Sequence, residues 1–241
     1  MLFDTPIYLI FLLLIVSTYW CVGWRSQNRL LFVASCFFYG WWDWRFLLLM
    51  LMSASVDFLL GQRIADSKSQ AIRRSFLIFS LCLNFGVLGF FKYFDFFLHS
   101  TADALAALGV HSVSLPLLRI ILPPGISFYT FQEVAYIVDI YRGKLEPSRR
   151  FVDYGLFICL FPHLIAGPIQ RPSHLLPQVQ HPRHFESEKF FAGLMLIVLG
   201  LFRKSVIADN AANVANAAFD GKLGHSFLAT TIGVFAFALQ I

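Results

Sequence analysis

Eight apolar segments, at about 5–24, 30–42, 46–60, 75–98, 117–141, 151–170, 190–207 and 226–241, take up most of the chain. A helix needs about 20 apolar residues to cross the hydrocarbon core of a bilayer. The longer segments meet that length, and the shorter ones are read as tilted or re-entrant. The expected fold is all-α: a polytopic integral membrane protein built from transmembrane and re-entrant helices, its backbone groups satisfied inside those helices. Composition excludes the soluble alternative. Of 241 residues 58% are hydrophobic and only 14% charged, against about 25% charged in an ordinary soluble domain. A soluble chain of this size buries a core but cannot hide this much apolar surface from water.

The first segment, Thr5 to Trp24, carries no charge. Asp4 stands where a signal peptide carries bases, and no small-residue cleavage site follows, so the segment reads as a retained first helix. There is no soluble domain and no long linker. The last segment, SFLATTIGVFAFALQI, runs to Ile241 without a polar flank. The chain is therefore expected to be a fragment, with 1–241 the N-terminal part of a single transmembrane domain.

Basic residues report topology. Arg25 and Arg29 follow the first segment; Arg63, Lys68, Arg73 and Arg74 fill the loop after the third; Arg142, Lys144, Arg149 and Arg150 follow the fifth. Tyr93 to Leu118 holds no Lys or Arg. This alternation predicts an N-terminus outside the cytoplasm. Segment 151–170 is expected to be re-entrant, because a full crossing would strand Arg171, Arg183 and Lys189 outside. The motif WWDWR at 41–45 reads as an interfacial belt. A net charge of +5 comes from these loop bases. No basic stripe with interleaved aromatics lies outside the apolar runs, so no nucleic-acid partner is expected.

The segment LPPGISFYTFQEVAYIVDIYR, Leu122 to Arg142, carries a polar stripe at membrane depth. Tyr129, Gln132, Tyr136 and Asp139 recur at helical steps and share one face, with Glu133 beside them. Ser127 precedes them as a further lining candidate. A carboxylate at that depth costs about 2.5–3.5 kcal/mol on insertion scales and usually faces protein or a water-filled cavity. Pro123-Pro124-Gly125 breaks the backbone just before, and broken backbone there usually lines a cavity. Two readings stay open: the wall of a substrate channel, or hydrogen-bonded contact between helices worth about 0.6 kcal/mol per group. Asp139 also has Arg142 at i,i+3 as a possible ion-pair partner.

Other polar groups are less specific. FPHLIAGPIQRP, Phe161 to Pro172, has prolines that open the backbone. His163 within it is either a proton carrier or a hydrogen-bonded structural residue. His174, His181 and His184 are too loosely spaced for a zinc site, and no metal is expected. Cys21, Cys36, Cys82 and Cys159 form no CxxC pair and read as buried apolar residues. Asn210, Asn213 and Asn216 make a ridge suited to helix packing or to channel lining. Lys92 and Asp95 in GFFKYFDFF either pair or leave Lys92 to snorkel.

LPPGISFYTFQEVAYIVDIYRG, FPHLIAGPIQRP and FRKSVIAD, in this order and spacing, resemble the membrane-bound O-acyltransferase family, and YGWWDWRF and GFFKYFDF point to its bacterial alginate O-acetylation branch. The resemblance covers essentially the whole chain. It implies acyl transfer through a membrane-embedded tunnel in the bacterial inner membrane, with a periplasmic N-terminus. The donor would be a cytoplasmic acyl thioester, acetyl-CoA above all, with no resident cofactor. The acceptor would be an extracytoplasmic polysaccharide, served by a periplasmic acetyltransferase partner. Arg142 and Lys144 become candidates for the donor side, against the plain reading of positive-inside charge. The family's central histidine matches nothing in 1–241 and is expected downstream of Ile241. His163 belongs to a different motif and is only a lining candidate, so no catalytic residue is expected within this chain and the fragment is expected to be inactive alone. The competing readings are a transporter or flippase component and a non-catalytic membrane scaffold. Internal repeats would favour the transporter, and none is visible.

Overall fold

The computed structural model describes residues 5–107, 121–164, 167–222, 224 and 226–241. Every regular element among them is helical. The chain forms two compact units, 1–183 and 184–241.

The first unit contains α1 (Pro6–Cys21), α2 (Trp24–Gly40), α3 (Trp44–Asp66), α4 (Gln70–Ala107), α5 (Ile126–Tyr141), α6 (Phe151–Cys159), a single turn α7 (Phe161–Leu164) and α8 (Pro172–Gln180). Of these, α3 and α4 are long and apolar enough to cross a membrane, and α1 is a shorter apolar helix. The expected span at 117–141 is resolved differently. Its helix begins only at Ile126, and 117–120 lie outside the described residues.

Helix ends follow local chemistry. Thr5 caps α1, its Oγ1 accepting from Tyr8 N, with Pro6 at the first helical position. Asp43 caps α3 by accepting from Arg45 N at 2.8 Å, and the Arg45 guanidinium, bonded to the same carboxylate at 2.7 Å, holds its pKa below the usual range. The neighbouring Trp41, Trp42 and Trp44 are exposed, as an interfacial belt requires. At the start of α5 the cap is Gly125 with φ of 74°, a left-handed conformation that a side chain would strain.

Side-chain contacts fix the helix directions. α1 and α2 are antiparallel: Tyr8 meets Phe38 with ring centroids 6.0 Å apart, and Gln27 Nε2 donates to Tyr19 O. α3 and α5 run parallel, since Ser53 bonds Glu133 while Tyr136 and Ile140 lie against Gly61. α4 runs against both: Arg73 Nη2 donates to Tyr141 O at 2.8 Å at one end, and Phe85 meets Phe131 further along. α2 and α6 run parallel, with Asn28 bonded to Asp153, Phe32 over Gly155, and Phe161 N bonded to Ser35 Oγ.

Segment 151–180 enters and returns on one side. α6 starts beside Trp24, over whose ring Arg150 sits. It climbs to the level of Ser35 and Phe38, turns through α7, and comes back through α8, whose Val179 O accepts from Asn28 Nδ2 at 2.8 Å. The segment thus folds back on itself within the first unit. Its N-terminal end shares one face of the unit with Arg25, Arg63, Lys68, Arg73, Arg142, Lys144 and Arg149.

In the second unit, α9 (Ser187–Phe202) continues through a π-helical stretch at Arg203–Ala208 into α10 (Asp209–Phe219), and α11 (Phe227–Gln240) folds back on α10. Residues Ser187–Phe219 together are long and apolar enough to cross a membrane. Ala218 sits against Gly233, and Phe219 meets Phe237 edge-on. The asparagine ridge does not make this contact. Asn210, Asn213 and Asn216 are exposed, and the buried Ala215 occupies the other face.

Candidate functional site

The polar stripe of α5 lies at the centre of the first unit. Its buried face is Ile126, Tyr129, Thr130, Gln132, Glu133, Tyr136, Ile137 and Ile140. The wheel is rotated from the sequence expectation. Glu133, placed beside the stripe, is fully buried, whereas Ser127 and Asp139 are half-buried at its edges. Among the described ion pairs none joins Asp139 to Arg142. The reason is the packing around α5: α3, α4, α6 and α8 all contact it, and they enclose Glu133 while leaving Asp139 half-buried.

Around Glu133 the neighbours are polar. Ser53 on α3 donates to Glu133 Oε1 at 3.0 Å. One turn on, Asp57 is fully buried and accepts from Ser80 Oγ and Asn84 Nδ2 of α4, both at 2.6 Å. Tyr136 Oη accepts from Ser148 N at 3.0 Å, and its ring lies 4.3 Å from that of Tyr154 on α6. Tyr39 donates to Pro124 O at 2.9 Å, fastening α2 to the broken backbone before α5. Three buried polar atoms here have no protein partner: Glu133 Oε2, Tyr129 Oη and Tyr154 Oη. An unpartnered buried polar atom costs about 1–3 kcal/mol, so a native cluster with three of them points to a polar group or water that completes it.

Asp57, Ser80 and Asn84 escaped the sequence reading. Each is a single polar residue in an apolar run, and only a helical projection of α3 against α4 brings them together. The sole visible signal was a carboxylate within a segment of spanning length.

A second cluster closes the base-rich end. Asn28 Nδ2 donates to Asp153 Oδ1 at 2.8 Å and to Val179 O; its Oδ1 accepts from Arg183 Nη2. Arg183 also donates to Tyr19 Oη at 2.7 Å and to Gln178 O. Asp153 faces Arg150 at 3.9 Å. Beside this cluster a cavity of about 370 Å³ is walled by Leu31, Leu156, Leu160, Leu175 and Val179, with Gln178, His181 and Arg183 on its polar side. In the sequence Arg183 stands out only as a topology marker.

The remaining candidates lie elsewhere. His163 sits half-buried in α7, its carbonyl accepting from Gly167 N at 2.9 Å and its Nε2 unpartnered. Arg142 and Lys144 are exposed just past α5 on the base-rich face. His174, His181 and His184 are exposed, and no cluster suited to a metal occurs among the described residues. Lys92 lies over the Tyr93 ring rather than pairing with Asp95 among the described ion pairs. Ile241, past which the sequence expectation puts the catalytic histidine, follows α11 in the second unit.

Curated proteins resemble this chain over most of its length. The protein of Pseudomonas aeruginosa named Probable alginate O-acetylase AlgI is 36% identical over 222 residues, which are 91% of this chain and 42% of that protein. Its namesake in Azotobacter vinelandii is 35% identical over 247 residues, 100% of this chain and 48% of that protein. The Peptidoglycan O-acetyltransferase of Helicobacter pylori is 32% identical over 273 residues, 100% of this chain and 51% of that protein. The chain is thus similar to bacterial O-acetyltransferases, in agreement with its resemblance to the membrane-bound O-acyltransferase family. It spans about half the length of the curated relatives it matches. No family model and no solved structure matches it. The two clusters divide naturally: one holds the helices of the first unit together around α5, and the other seats the α6–α8 hairpin on α2.

Proposed function

We propose that this chain is part of an enzyme that O-acetylates an extracytoplasmic glycan, taking the acetyl group from a cytoplasmic acyl thioester such as acetyl-CoA. The observation that carries this reading is 32–36% identity over 91–100% of the chain to a protein named Probable alginate O-acetylase and to a Peptidoglycan O-acetyltransferase. Both of those names specify acetyl transfer to a glycan. Transfer to a hydroxyl needs a base for its proton and donors for the developing oxyanion. The base is assigned to the part of the relatives' length that this chain does not span, and the chain alone is expected to be inactive.

In this reading the base-rich end of the first unit faces the cytoplasm of a bacterial inner membrane, and the N-terminus is periplasmic. Arg142 and Lys144 then stand on the side from which an anionic thioester approaches. The Tyr129–Gln132–Glu133–Tyr136 face shapes the interior past which the acetyl group travels, toward a periplasmic acetyltransferase or the polymer itself. Support for a polar path comes from the three unpartnered buried oxygens on and beside α5.

The test is the acetyl content of the surface glycan in cells expressing the full-length protein or variants of it. Gln132→Leu and Glu133→Leu are expected to cut acetylation several-fold while the protein still reaches the membrane. Full acetylation in both variants overturns the assignment of this face; full acetylation in cells lacking the protein overturns the function.

A further inference from the structure

α2 and α6 lie side by side in a register set at three levels. Asn28 bonds Asp153 at 2.8 Å, the Phe32 ring covers Gly155, and Ser35 Oγ accepts from Phe161 N at 3.1 Å. Cys36 follows Ser35, and Cys159 comes two residues before Phe161, so the same register brings their thiols into one layer as neighbouring, mutually interacting groups. Both are free thiols. Their surroundings differ. Cys159 is buried, 1% exposed. Cys36 is half-buried and lines an open groove of about 470 Å³ with Val33, Phe37, Gly40, Trp41 and Leu47. One sulfur is reachable from outside and the other stands behind it, the arrangement of an attacking and a resolving cysteine.

We propose that Cys36 and Cys159 form a redox-active dithiol whose oxidation staples the re-entrant hairpin to α2. The oxidant is a disulfide, either of a dithiol oxidoreductase or of a small molecule. Cys36 gives up its proton and its sulfur attacks one sulfur of that disulfide. The donor S–S bond breaks, and one donor thiol leaves carrying a proton. Cys159 then attacks the mixed disulfide at Cys36, releasing the second donor thiol with the proton of Cys159. Two protein thiols are oxidised and one disulfide is reduced. Since α7 begins two residues after Cys159, the bond fixes the turn that carries His163 against α2. The groove opens beside the Trp41–Trp44 belt, at the end of the unit remote from Arg25, Arg63, Arg142 and Arg149. In the topology proposed above, on which this clause rests, that end faces the oxidising periplasm, where disulfides persist.

The experiment uses the full-length protein with the exposed Cys21 and Cys82 changed to serine. The purified protein is treated with oxidised glutathione, capped with a maleimide, digested and examined by mass spectrometry. The expected result is a disulfide-linked pair of peptides containing Cys36 and Cys159, abolished by dithiothreitol. Cys159→Ser is expected to leave a stable glutathione adduct on Cys36 and no linked pair. If both thiols of the folded protein remain free, or if Cys36 carries glutathione while Cys159 stays free, the proposal is overturned. Spheroplasts treated with the same membrane-impermeant disulfide separate the two ideas. A linked pair there supports the sidedness. A linked pair in purified protein but not in spheroplasts overturns the topology and leaves the dithiol standing.

Discussion

Ser53 on α3 and Glu133 on α5, 80 residues apart in the chain, share a buried hydrogen bond of 3.0 Å in which the serine hydroxyl donates to one carboxyl oxygen of the glutamate. It is the sole hydrogen bond described for the Glu133 side chain, since Oε2 has no partner. With the Asp57 cluster one turn further along, it ties α3, α4 and α5 together through side chains rather than through apolar contact alone. Between helices in a bilayer such bonds matter because lipid offers no competing partner.

Ser53→Ala is expected to destabilise the protein in detergent by about 1–3 kcal/mol, because it leaves both oxygens of a buried carboxyl without a partner. Glu133→Gln in the same background is expected to recover part of that loss, as a neutral amide is cheaper to bury. Thermal unfolding followed by circular dichroism reads both. A Ser53→Ala protein as stable as the parent would mean that water already satisfies Glu133.

Gly155 is a packing requirement. A Cβ at this position would stand 2.6 Å from Phe32 Cε2. Gly155→Val is expected to cost about 1–3 kcal/mol through overpacking and to loosen α6 from α2. Phe32→Ala makes room, so the double variant should regain part of the loss. Strictly additive effects on unfolding would show that the two residues do not press on each other.

Asn28 is the hub of the base-rich end, bonded to Asp153, Val179 O and Arg183. Asn28→Leu is expected to free α8 before it unfolds the rest. Trypsin should then cut after Arg183 at least several-fold faster than in the parent, with the spans intact. An unchanged cleavage rate would assign the seating of α8 to its apolar contacts alone.

α4 has 38 residues, about 57 Å of helix, against about 30 Å of hydrocarbon. Its far end must project beyond the bilayer. Single cysteines at positions 68 and 105, in a background without the native four, are expected to be labelled from opposite sides, 68 from the cytoplasm and 105 from outside. Labelling in the reverse sense would invert the proposed topology.

Much of the fold was legible without coordinates. The lengths of the apolar segments and the placement of Arg63, Lys68, Arg142 and Arg150 were enough for the helices and their alternating directions. Both rest on local quantities, the cost of exposing a backbone to lipid and the cost of moving a positive charge across it. The stripe on α5 was visible for the same reason, since helical periodicity is local.

What the sequence by itself determined is therefore the class, an all-α membrane protein with a polar face on α5. Tertiary structure alone decided which of those polar groups are central. Glu133 is enclosed and Asp139 is not, Asp57 finds Ser80 and Asn84 on α4, and Arg183 reaches back to Asn28. The physical reason is that burial of one face depends on where three neighbouring helices lie. Their positions are set by side-chain packing, such as Tyr136 against Gly61 and Phe32 against Gly155, between residues distant along the chain.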